Sequence, residues 1–387
     1  MITRDIAKQV LRLSKKYPVT AIMGPRQSGK TTLTRMIFPN KAYASLEDLE
    51  TREFAQKDPR AFLSHYSKGC IIDEVQRVPS LLSYIQTYVD KYPKKTGLFI
   101  LTGSQNILML EGISQSLAGR IALFKLLPLS IAELSHSKYK IKDLEDVLWN
   151  GMYPRLYNKK LKPHEIYPYY IQTYIERDVR LIKNITDLGA FHRFLKLCAG
   201  HIGQIVNVSS LGNDCGITHN TAKAWLSILE SSYIIFLIQP HYKNFKKRLV
   251  KMPKLYFYDT GLACSLLGIH AKEQVSTHYL KGGLFESFVF SEMIKTRFNR
   301  GIEHQYYFWR DKTGNEIDCI YEKGATLIPV EIKSGKTINN YFFKGINFFN
   351  KLSGNSPKNS FLVYGGTNNQ VRSSCTILSW KNIHELF

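Results

Sequence analysis

The feature that most constrains the fold is an eight-residue run near the N-terminus that fits the pattern G-x-x-x-x-G-K-[ST]. The run consists of Gly24, Pro25, Arg26, Gln27, Ser28, Gly29, Lys30 and Thr31, and Thr32 follows it. The apolar residues 19–23 before the run predict a buried strand, and apolar residues at helical spacing after it predict a helix. Backbone N–H groups and the helix dipole converge on an anion at such a turn. The sequence therefore predicts a nucleotide-binding phosphate loop in an α/β sheet.

Within the phosphate loop, the motif assigns two side chains to the nucleotide. Lys30 is expected to reach the β- and γ-phosphates of ATP, and the hydroxyl of Thr31 is expected to hold Mg²⁺. Gly24 and Gly29 allow the chain to turn without a clash of Cβ atoms. A chance match in an unrelated loop is the alternative, and the flanking strand and helix patterns argue against it.

A second chemical signal is a pair of carboxylates at the end of the predicted buried strand 70–73. In a phosphate-loop enzyme, Asp73 is expected to bind Mg²⁺ directly or through water. Glu74 is expected to polarise the attacking water. The alternative is an acidic helix cap that follows a strand. Together with the phosphate loop, the pair predicts hydrolysis of ATP in addition to binding.

Two further segments, one after the strand 98–101 and one before a fifth strand, supply candidates for contact with the γ-phosphate. The strand 98–101 ends in small polar residues, and strand ends on that side of an open α/β sheet line the ligand crevice. Thr102 or Ser104 is therefore expected to sense the γ-phosphate. Arg120 precedes a fifth strand and is a candidate contact to phosphate, in the same chain or in a neighbouring copy. The alternative for Arg120 is a structural arginine that pairs with a helix end.

The charge balance indicates the class of partner. The chain has 53 Lys and Arg against 31 Asp and Glu, which gives a net charge of +22. Such a charge favours nucleic acid, or less readily an anionic membrane surface, although a genome-wide preference for basic proteins is an alternative. The six cysteines lie far apart, and neither a signal core nor a membrane-length apolar run is present. A cytoplasmic protein without membrane contact is expected.

A set of segments in fixed order resembles a known family. The segments are GPRQSGKTTL, IIDEVQ, LTGSQN, SLAGR and LPLSIAEL, followed by GMYP at 151–154 and YIERDV at 174–179. In this order they resemble the AAA+-related ATPases of bacteria and archaea that carry a C-terminal DUF4143 region. The resemblance covers nearly the whole chain. It implies an AAA+-like ATPase domain with a helical extension over residues 1–190, with ATP and Mg²⁺ as cofactors.

The middle of the chain has the pattern of a DNA-binding module. Residues 191–262 read as helix, turn, helix and then two strands, which predicts a winged helix-turn-helix. No acidic residue lies between His241 and Lys254, and the cations in this stretch suit contacts to phosphate. They are Lys243, Lys246, Lys247, Arg248, Lys251 and Lys254. The alternative is that the module serves only for packing between domains.

The last third, residues 263–387, carries a third set of candidate residues. Asp318 lies in one predicted strand, Glu331 and Lys333 share a face of the next, and Glu286 lies in an apolar helix upstream. This arrangement is similar to the PD-(D/E)XK nuclease core, although Ile317 stands where that core often has proline. The resemblance implies that two carboxylates chelate Mg²⁺ or Mn²⁺, that the lysine activates water, and that Glu286 completes the cluster. The alternative is a degraded domain that binds nucleic acid or regulates the ATPase.

The favoured hypothesis joins these parts into one α/β protein. It has a P-loop parallel sheet, then a winged helix, then a small restriction-endonuclease-like domain. ATP hydrolysis would drive or gate the DNA-binding, nuclease-like end of the chain. The alternative is a nucleotide-gated regulatory switch whose C-terminal domain binds but does not cleave. Whether the chain forms a homo-oligomer, in which Arg120 acts on a neighbouring copy, stays open.

Overall fold

The computed structural model describes residues 2–104, 115–139, 141–175, 187–241, 250–303, 305–324 and 326–386. The chain falls into two compact units. Unit 1 comprises Met1–Leu129, Ser231–Tyr233 and Arg297–Ile302, and unit 2 comprises Ser130–Glu230, Ile234–Thr296 and Glu303–Phe387. Unit 2 thus contains parts of all three predicted domains, and the predicted boundaries after residues 190 and 262 stay a prediction.

Unit 1 is built on a five-stranded sheet in which every strand pair is parallel. The strands are β1 (Val19–Met23), β2 (Ala42–Ser45), β3 (Cys70–Asp73), β4 (Phe99–Gly103) and β5 (Ile121–Lys125), in the order β2-β3-β4-β1-β5. The central strands β1, β3 and β4 are buried along their whole length, as expected for strands covered on both faces. The predicted α/β class with a parallel sheet is confirmed.

Five helices pack against the sheet of unit 1 within the described residues. They are α1 (Ala7–Ser14), α2 (Lys30–Ile37), α3 (Leu49–Lys57), α4 (Pro59–His65) and α5 (Leu81–Asp90). Helix α3 ends and α4 begins at residues 58–59, where the Asp58 carboxylate accepts a hydrogen bond from Ala61 N at 2.9 Å and Pro59 is the first residue of α4. The helices cover a core that includes Phe62, Ile85 and Phe99.

Unit 2 combines helices with a mixed sheet. Its helices are α6 (Ile131–Ser135), α7 (Leu144–Asn150), α8 (Pro154–Lys159), α9 (Pro163–Tyr170), α10 (Leu188–Gly200), α11 (Val208–Cys215), α12 (His219–Ser231), α13 (Thr260–Leu266), α14 (Lys272–Thr277), α15 (Lys281–Asn299) and α16 (Lys344–Ser353). Its strands are β6 (Ile235–Pro240), β7 (Lys254–Phe257), β8 (Tyr306–Arg310), β9 (Glu316–Lys323), β10 (Thr326–Lys333), β11 (Phe361–Tyr364), β12 (Gln370–Val371) and β13 (Thr376–Ser379).

The order of the unit 2 sheet brings the candidate strands together at its centre. The order is β12-β13-β11-β10-β9-β8-β6-β7. Strands β9 and β10 form an antiparallel hairpin, whereas β10 and β11 are parallel and are connected through α16. Trp309, Ile317 and Phe349 belong to a common buried core beside this hairpin.

The predicted winged helix is only partly reproduced. Helices α11 and α12 and the antiparallel pair β6–β7 are present in the predicted order. Strand β6, however, also pairs in parallel with β8, so the hairpin forms one edge of the eight-stranded sheet. A winged helix as a separate module is therefore not confirmed. Within the described residues, no helix is both long and apolar enough to pass through a membrane.

Candidate functional site

The phosphate loop connects β1 to α2 as the motif requires. Gly29 caps α2 with φ +96°, a left-handed conformation that favours glycine. A Cβ at Gly24 would overlap the carbonyl oxygen of Leu126, so the loop packs backbone against backbone at its first residue. Lys30 is buried, and its Nζ donates hydrogen bonds to the carbonyl oxygens of Gly24 at 3.0 Å and Pro25 at 2.8 Å. The lysine thus lies within the loop that is expected to bind phosphate.

The two residues predicted to hold Mg²⁺ are in direct contact. Thr31 Oγ1 donates a hydrogen bond to Asp73, 2.9 Å from Oδ2 and 3.2 Å from Oδ1. The hydroxyls of Tyr43 and Thr102 also donate to the Asp73 carboxylate, the tyrosine at 2.6 Å. Because β3 and β1 both flank β4, their carboxyl ends meet at one edge of the sheet. Thr102 therefore contacts the acidic residue, a partner that the sequence did not predict.

Glu74 belongs to a short polar chain beside this pair. It has φ +56°, an uncommon left-handed conformation for a residue with a Cβ. The amide nitrogen of Gln76 donates to the Glu74 carboxylate and, at 3.0 Å, to Ser104 Oγ. The predicted residues Glu74 and Ser104 are therefore linked through Gln76, which sequence reasoning missed.

Some side-chain oxygens of the two motif segments, 24–31 and 73–76, are buried and unsatisfied within the described part of the chain. Gln27 Oε1, Ser28 Oγ and Gln76 Oε1 are buried and have no hydrogen-bond partner among the described residues. Buried polar atoms are normally satisfied, so the unsatisfied Gln27 and Ser28 atoms of the loop fit a polar ligand. Thr32, in contrast, is exposed on the first turn of α2.

Arg120 lies at the amino-terminal ends of the strands, whereas the phosphate loop lies at their carboxyl ends. Its guanidinium pairs with Asp90, the last residue of α5, with Nε–Oδ1 at 2.6 Å and Nη2–Oδ2 at 3.0 Å. Strand β5 starts beside Val19, the first residue of β1, whereas the phosphate loop follows the other end of β1. This register does not support the predicted contact of Arg120 with phosphate in its own chain, and it matches the alternative of pairing with a helix end. Action on a neighbouring copy stays a prediction.

In unit 2 the structure brings the nuclease-like residues into one cluster. Lys333 Nζ lies 3.0 Å from Asp318 Oδ2 and 2.7 Å from Glu331 Oε1. The backbone N–H of Ile332 also donates to Asp318 Oδ2 at 2.8 Å. The other oxygen of Glu331, Oε2, is buried and has no hydrogen-bond partner within the part of the chain that the structure describes. The two predicted metal-binding carboxylates and the predicted lysine therefore meet as expected.

A second lysine, which sequence reasoning assigned to a basic tip, belongs to the same cluster. Lys254 is 4% exposed, and its Nζ pairs with Glu316 Oε1 and lies 3.6 Å from Glu286 Oε2. Tyr256, two residues further along β7, donates its hydroxyl to Glu286 Oε2 at 2.9 Å. The expectation that Lys254 contacts nucleic acid is wrong, because its ammonium is buried between carboxylates. Lys254 and Tyr256 are two residues apart on β7 and therefore share a face of the strand, which is the sequence pattern that could have placed the lysine beside Glu286.

Burial and neighbouring charges separate the pKa values in this cluster. Burial, together with the nearby Asp318 charge, raises the pKa of Glu331 to about 8, against the opposing effect of Lys333. Burial likewise raises the pKa of Glu286 to about 7, and Lys254 opposes it. For Asp318, burial acts upward, but Lys333 and Lys254 together hold its pKa below the ordinary value. Asp318 is therefore the carboxylate that the two lysines keep ionised most firmly.

The cluster opens into a cavity of about 310 Å³. Its lining residues are Gly314, Asn315, Glu316, Asp318, Glu331, Lys333, Tyr341, Lys344, Gly345 and Phe348. No group of three or more His, Cys, Asp and Glu side chains is arranged for a metal ion among the residues that the structure describes. Asp318 and Glu331 line this cavity and share Lys333, and binding of a divalent cation by these two carboxylates stays a prediction.

Of the residues predicted to contact DNA, the structure describes only some. Lys243, Lys246, Lys247 and Arg248 lie outside the described residues. Lys251 is described and is exposed, as a contact to phosphate requires.

Comparison with known families matches three consecutive parts of the chain. Residues 16–135 match an AAA domain family (AAA_14), and residues 281–383 match a domain of unknown function (DUF4143). The chain is an AAA-related protein with a C-terminal DUF4143 domain. Residues 141–273, between these two domains of the AAA–DUF4143 protein, match a further domain of unknown function (DUF8612).

Two relatives are similar to this chain over most of its length. The chain is 28% identical over 340 residues to an uncharacterized protein of Mycobacterium tuberculosis, covering 86% of this chain and 74% of the relative. It is 21% identical over 364 residues to an uncharacterized protein of Haemophilus influenzae, covering 86% of each.

Solved structures with some similarity include a Walker-type ATPase and a protein bound to AMPPCP. One is the Walker-type ATPase PABY2304 of Pyrococcus abyssi, with a TM-score of 0.47 and 16% identity, covering 69% of this chain and 96% of that one. The other is AMPPCP-bound DnaA of Aquifex aeolicus, with a TM-score of 0.31 and 17% identity, covering 58% of this chain and 86% of that one.

Proposed function

We propose that the AAA domain binds and hydrolyses ATP at the phosphate loop. The observation that carries this proposal is the hydrogen bond between Thr31 Oγ1 and the Asp73 carboxylate. It joins the hydroxyl of the loop to the acidic residue of the neighbouring strand end, which are the two protein ligands that Mg²⁺ has in phosphate-loop enzymes. Mg²⁺ held by these residues would neutralise the charge on the β- and γ-phosphates.

The remaining residues have distinct roles in this proposal. Lys30 exchanges its hydrogen bonds to the Gly24 and Pro25 carbonyls for the β- and γ-phosphate oxygens. Glu74 accepts a proton from the attacking water, and Gln76 orients its carboxylate while contacting Ser104. In this proposal Ser104 contacts the γ-phosphate. Loss of that phosphate is then transmitted to Glu74 through Gln76, which donates hydrogen bonds to both Ser104 and Glu74.

Two substitutions test the ATPase proposal. Lys30→Ala is expected to lose binding of a fluorescent ATP analogue, because the phosphates lose their cation. Glu74→Gln is expected to bind the analogue like the unchanged chain but to release phosphate about 10²-fold or more slowly, since the general base is removed. Lys91→Ala, which removes an exposed lysine, serves as the control for charge. Tight ATP binding by Lys30→Ala would contradict the proposal.

A second candidate function is metal-dependent cleavage of DNA by the C-terminal domain. The observation in its favour is the position of Lys333 between Asp318 and Glu331, beside a cavity and an unpartnered Glu331 oxygen. Asp318 and Glu331 would hold the cation, which lowers the pKa of bound water and stabilises charge on phosphate. Glu286 contributes through Lys254 rather than directly. The competing proposal is a nucleotide-gated switch whose C-terminal domain binds without cleaving.

Nicking of supercoiled plasmid separates cleavage from switching. The full chain is incubated with Mg²⁺ or Mn²⁺, with and without ATP, beside Asp318→Ala and Lys333→Ala. Cleavage that both substitutions abolish, and that Lys351→Ala at an exposed position leaves intact, is the expected result. Absence of metal-dependent nicking under every nucleotide condition would contradict the nuclease and favour the switch.

A further inference from the structure

A buried arginine near the N-terminus contacts the phosphate loop. Arg4 is 6% exposed, and its Nη1 donates a hydrogen bond to the carbonyl oxygen of Ser28 at 2.7 Å. Its Nη2 donates to the carbonyl oxygens of Leu127 at 2.7 Å and Pro128 at 3.4 Å. One guanidinium therefore ties the phosphate loop to the residues that follow β5.

The contact with Ser28 sets the direction of a loop amide. A trans peptide is planar, so the carbonyl of Ser28 and the N–H of Gly29 point in opposite directions. A donor that holds the carbonyl on one side keeps the Gly29 N–H on the other. That N–H belongs to the loop amides that the motif directs towards phosphate.

The residues after β5 contact the loop at a second point. We call Leu126–Leu129 the exit segment, because it continues β5 to Ser130, where unit 2 begins. The N–H of Leu126 donates to the carbonyl of Met23 at 2.7 Å, and the Leu126 carbonyl lies against Gly24. The exit segment is therefore attached to both the start of the loop and, through Arg4, its end.

We propose that Arg4 is a positioning residue of the nucleotide site that links the phosphate loop to the exit segment. It keeps the Ser28–Gly29 peptide in the orientation that binds phosphate. A nucleotide bound to this preoriented peptide also holds the guanidinium in place, and with it the Leu127 and Pro128 carbonyls. The link persists because breaking the hydrogen bonds of a buried charged group is costly. The inference rests on the proposed nucleotide binding.

Arg4→Met and Arg4→Lys in the full chain test the link. Arg4→Met is expected to weaken binding of Mg²⁺-ATP about tenfold or more, since hydrogen bonds to a charged group are removed. Arg4→Lys, which keeps the charge but cannot bridge three carbonyls, is expected to show intermediate binding. Arg12→Met is the matched control, because Arg12 is an exposed arginine on α1 whose Nε donates to Gln9 Oε1 in the adjacent turn at 2.8 Å.

Hydrogen exchange distinguishes positioning from a purely structural role. In the unchanged chain and in Arg12→Met, Mg²⁺-ATP is expected to slow the hydrogen-exchange rate of the exit-segment amides. In Arg4→Lys that nucleotide-dependent change is expected to shrink or vanish at saturating nucleotide. An unchanged response in Arg4→Lys, or no response in the unchanged chain while it binds ATP, would overturn the inference. Failure of the unchanged chain to bind ATP at all would instead contradict the proposed function.

Discussion

At the scale of single residues, one lysine has a role that its sequence neighbours conceal. Lys254 follows a stretch with five basic residues at 243–251, yet its ammonium is buried against Glu286 and Glu316. Two carboxylates this close to each other and to Asp318 would repel without a cation between them. Lys254 therefore stabilises the candidate C-terminal site from within.

Replacement of Lys254 is expected to destabilise unit 2. Lys254→Met removes the buried cation from the half-buried Glu286 and Glu316, and breaking a fully buried pair in this way costs about 3–5 kcal/mol, which is the upper limit here because Arg310 still pairs with Glu316. The free energy of unfolding from urea titration of the full chain measures this loss. Lys251→Met, which removes an exposed lysine three positions earlier, is the control and is expected to change it little. Equal stability of the two variants would contradict the role of Lys254.

At the scale of elements, sheet order decides which residues meet. Strand β4 lies between β1 and β3, so the loop after β1 and the acidic residue at the end of β3 reach the same edge. The motifs predicted this meeting, because their chemistry requires it. The position of Arg120 before β5 was equally clear in the sequence, but only the parallel register places it at the far edge, beside Asp90.

The same reasoning applies to the hairpin of unit 2. Alternation along β9 and β10 predicted that Asp318, Glu331 and Lys333 lie together, and their contacts confirm it. The pairing of β6 with β8 could not be predicted, because it joins segments far apart in the chain. This pairing carries β7, and with it Lys254, into the edge of the same sheet.

At the scale of the whole molecule, the net charge of +22 favours a polyanionic partner, which we propose to be DNA. The proposed contacts are Lys243, Lys246, Lys247, Arg248 and Lys251. A charge of this size attracts DNA even without a dedicated surface. A dedicated contact surface would contribute more to DNA binding than an equal charge elsewhere on the chain.

The salt dependence of DNA binding tests for such a surface. Replacement of Lys246, Lys247 and Arg248 by Ala is expected to reduce the slope of log affinity against log salt by about 0.9 for each phosphate that the protein no longer neutralises. The control replaces Lys91, Lys94 and Lys95, which are exposed on unit 1 and give the same net charge. If both triple variants show equal slopes, the cluster makes no specific phosphate contacts.

The sequence by itself determined the phosphate-loop motif and which candidate residues of both sites lie on regular elements. Loop 24–31, Asp73 and the β9–β10 hairpin follow from short-range patterns, since motif spacing and strand alternation act over a few residues. The tertiary structure alone decided the partners of Arg4, Arg120 and Lys254. Each of these cations is long, and its contacts lie on segments distant in sequence. Which carbonyls or carboxylates a long cation reaches depends on strand order and packing, which no local pattern encodes.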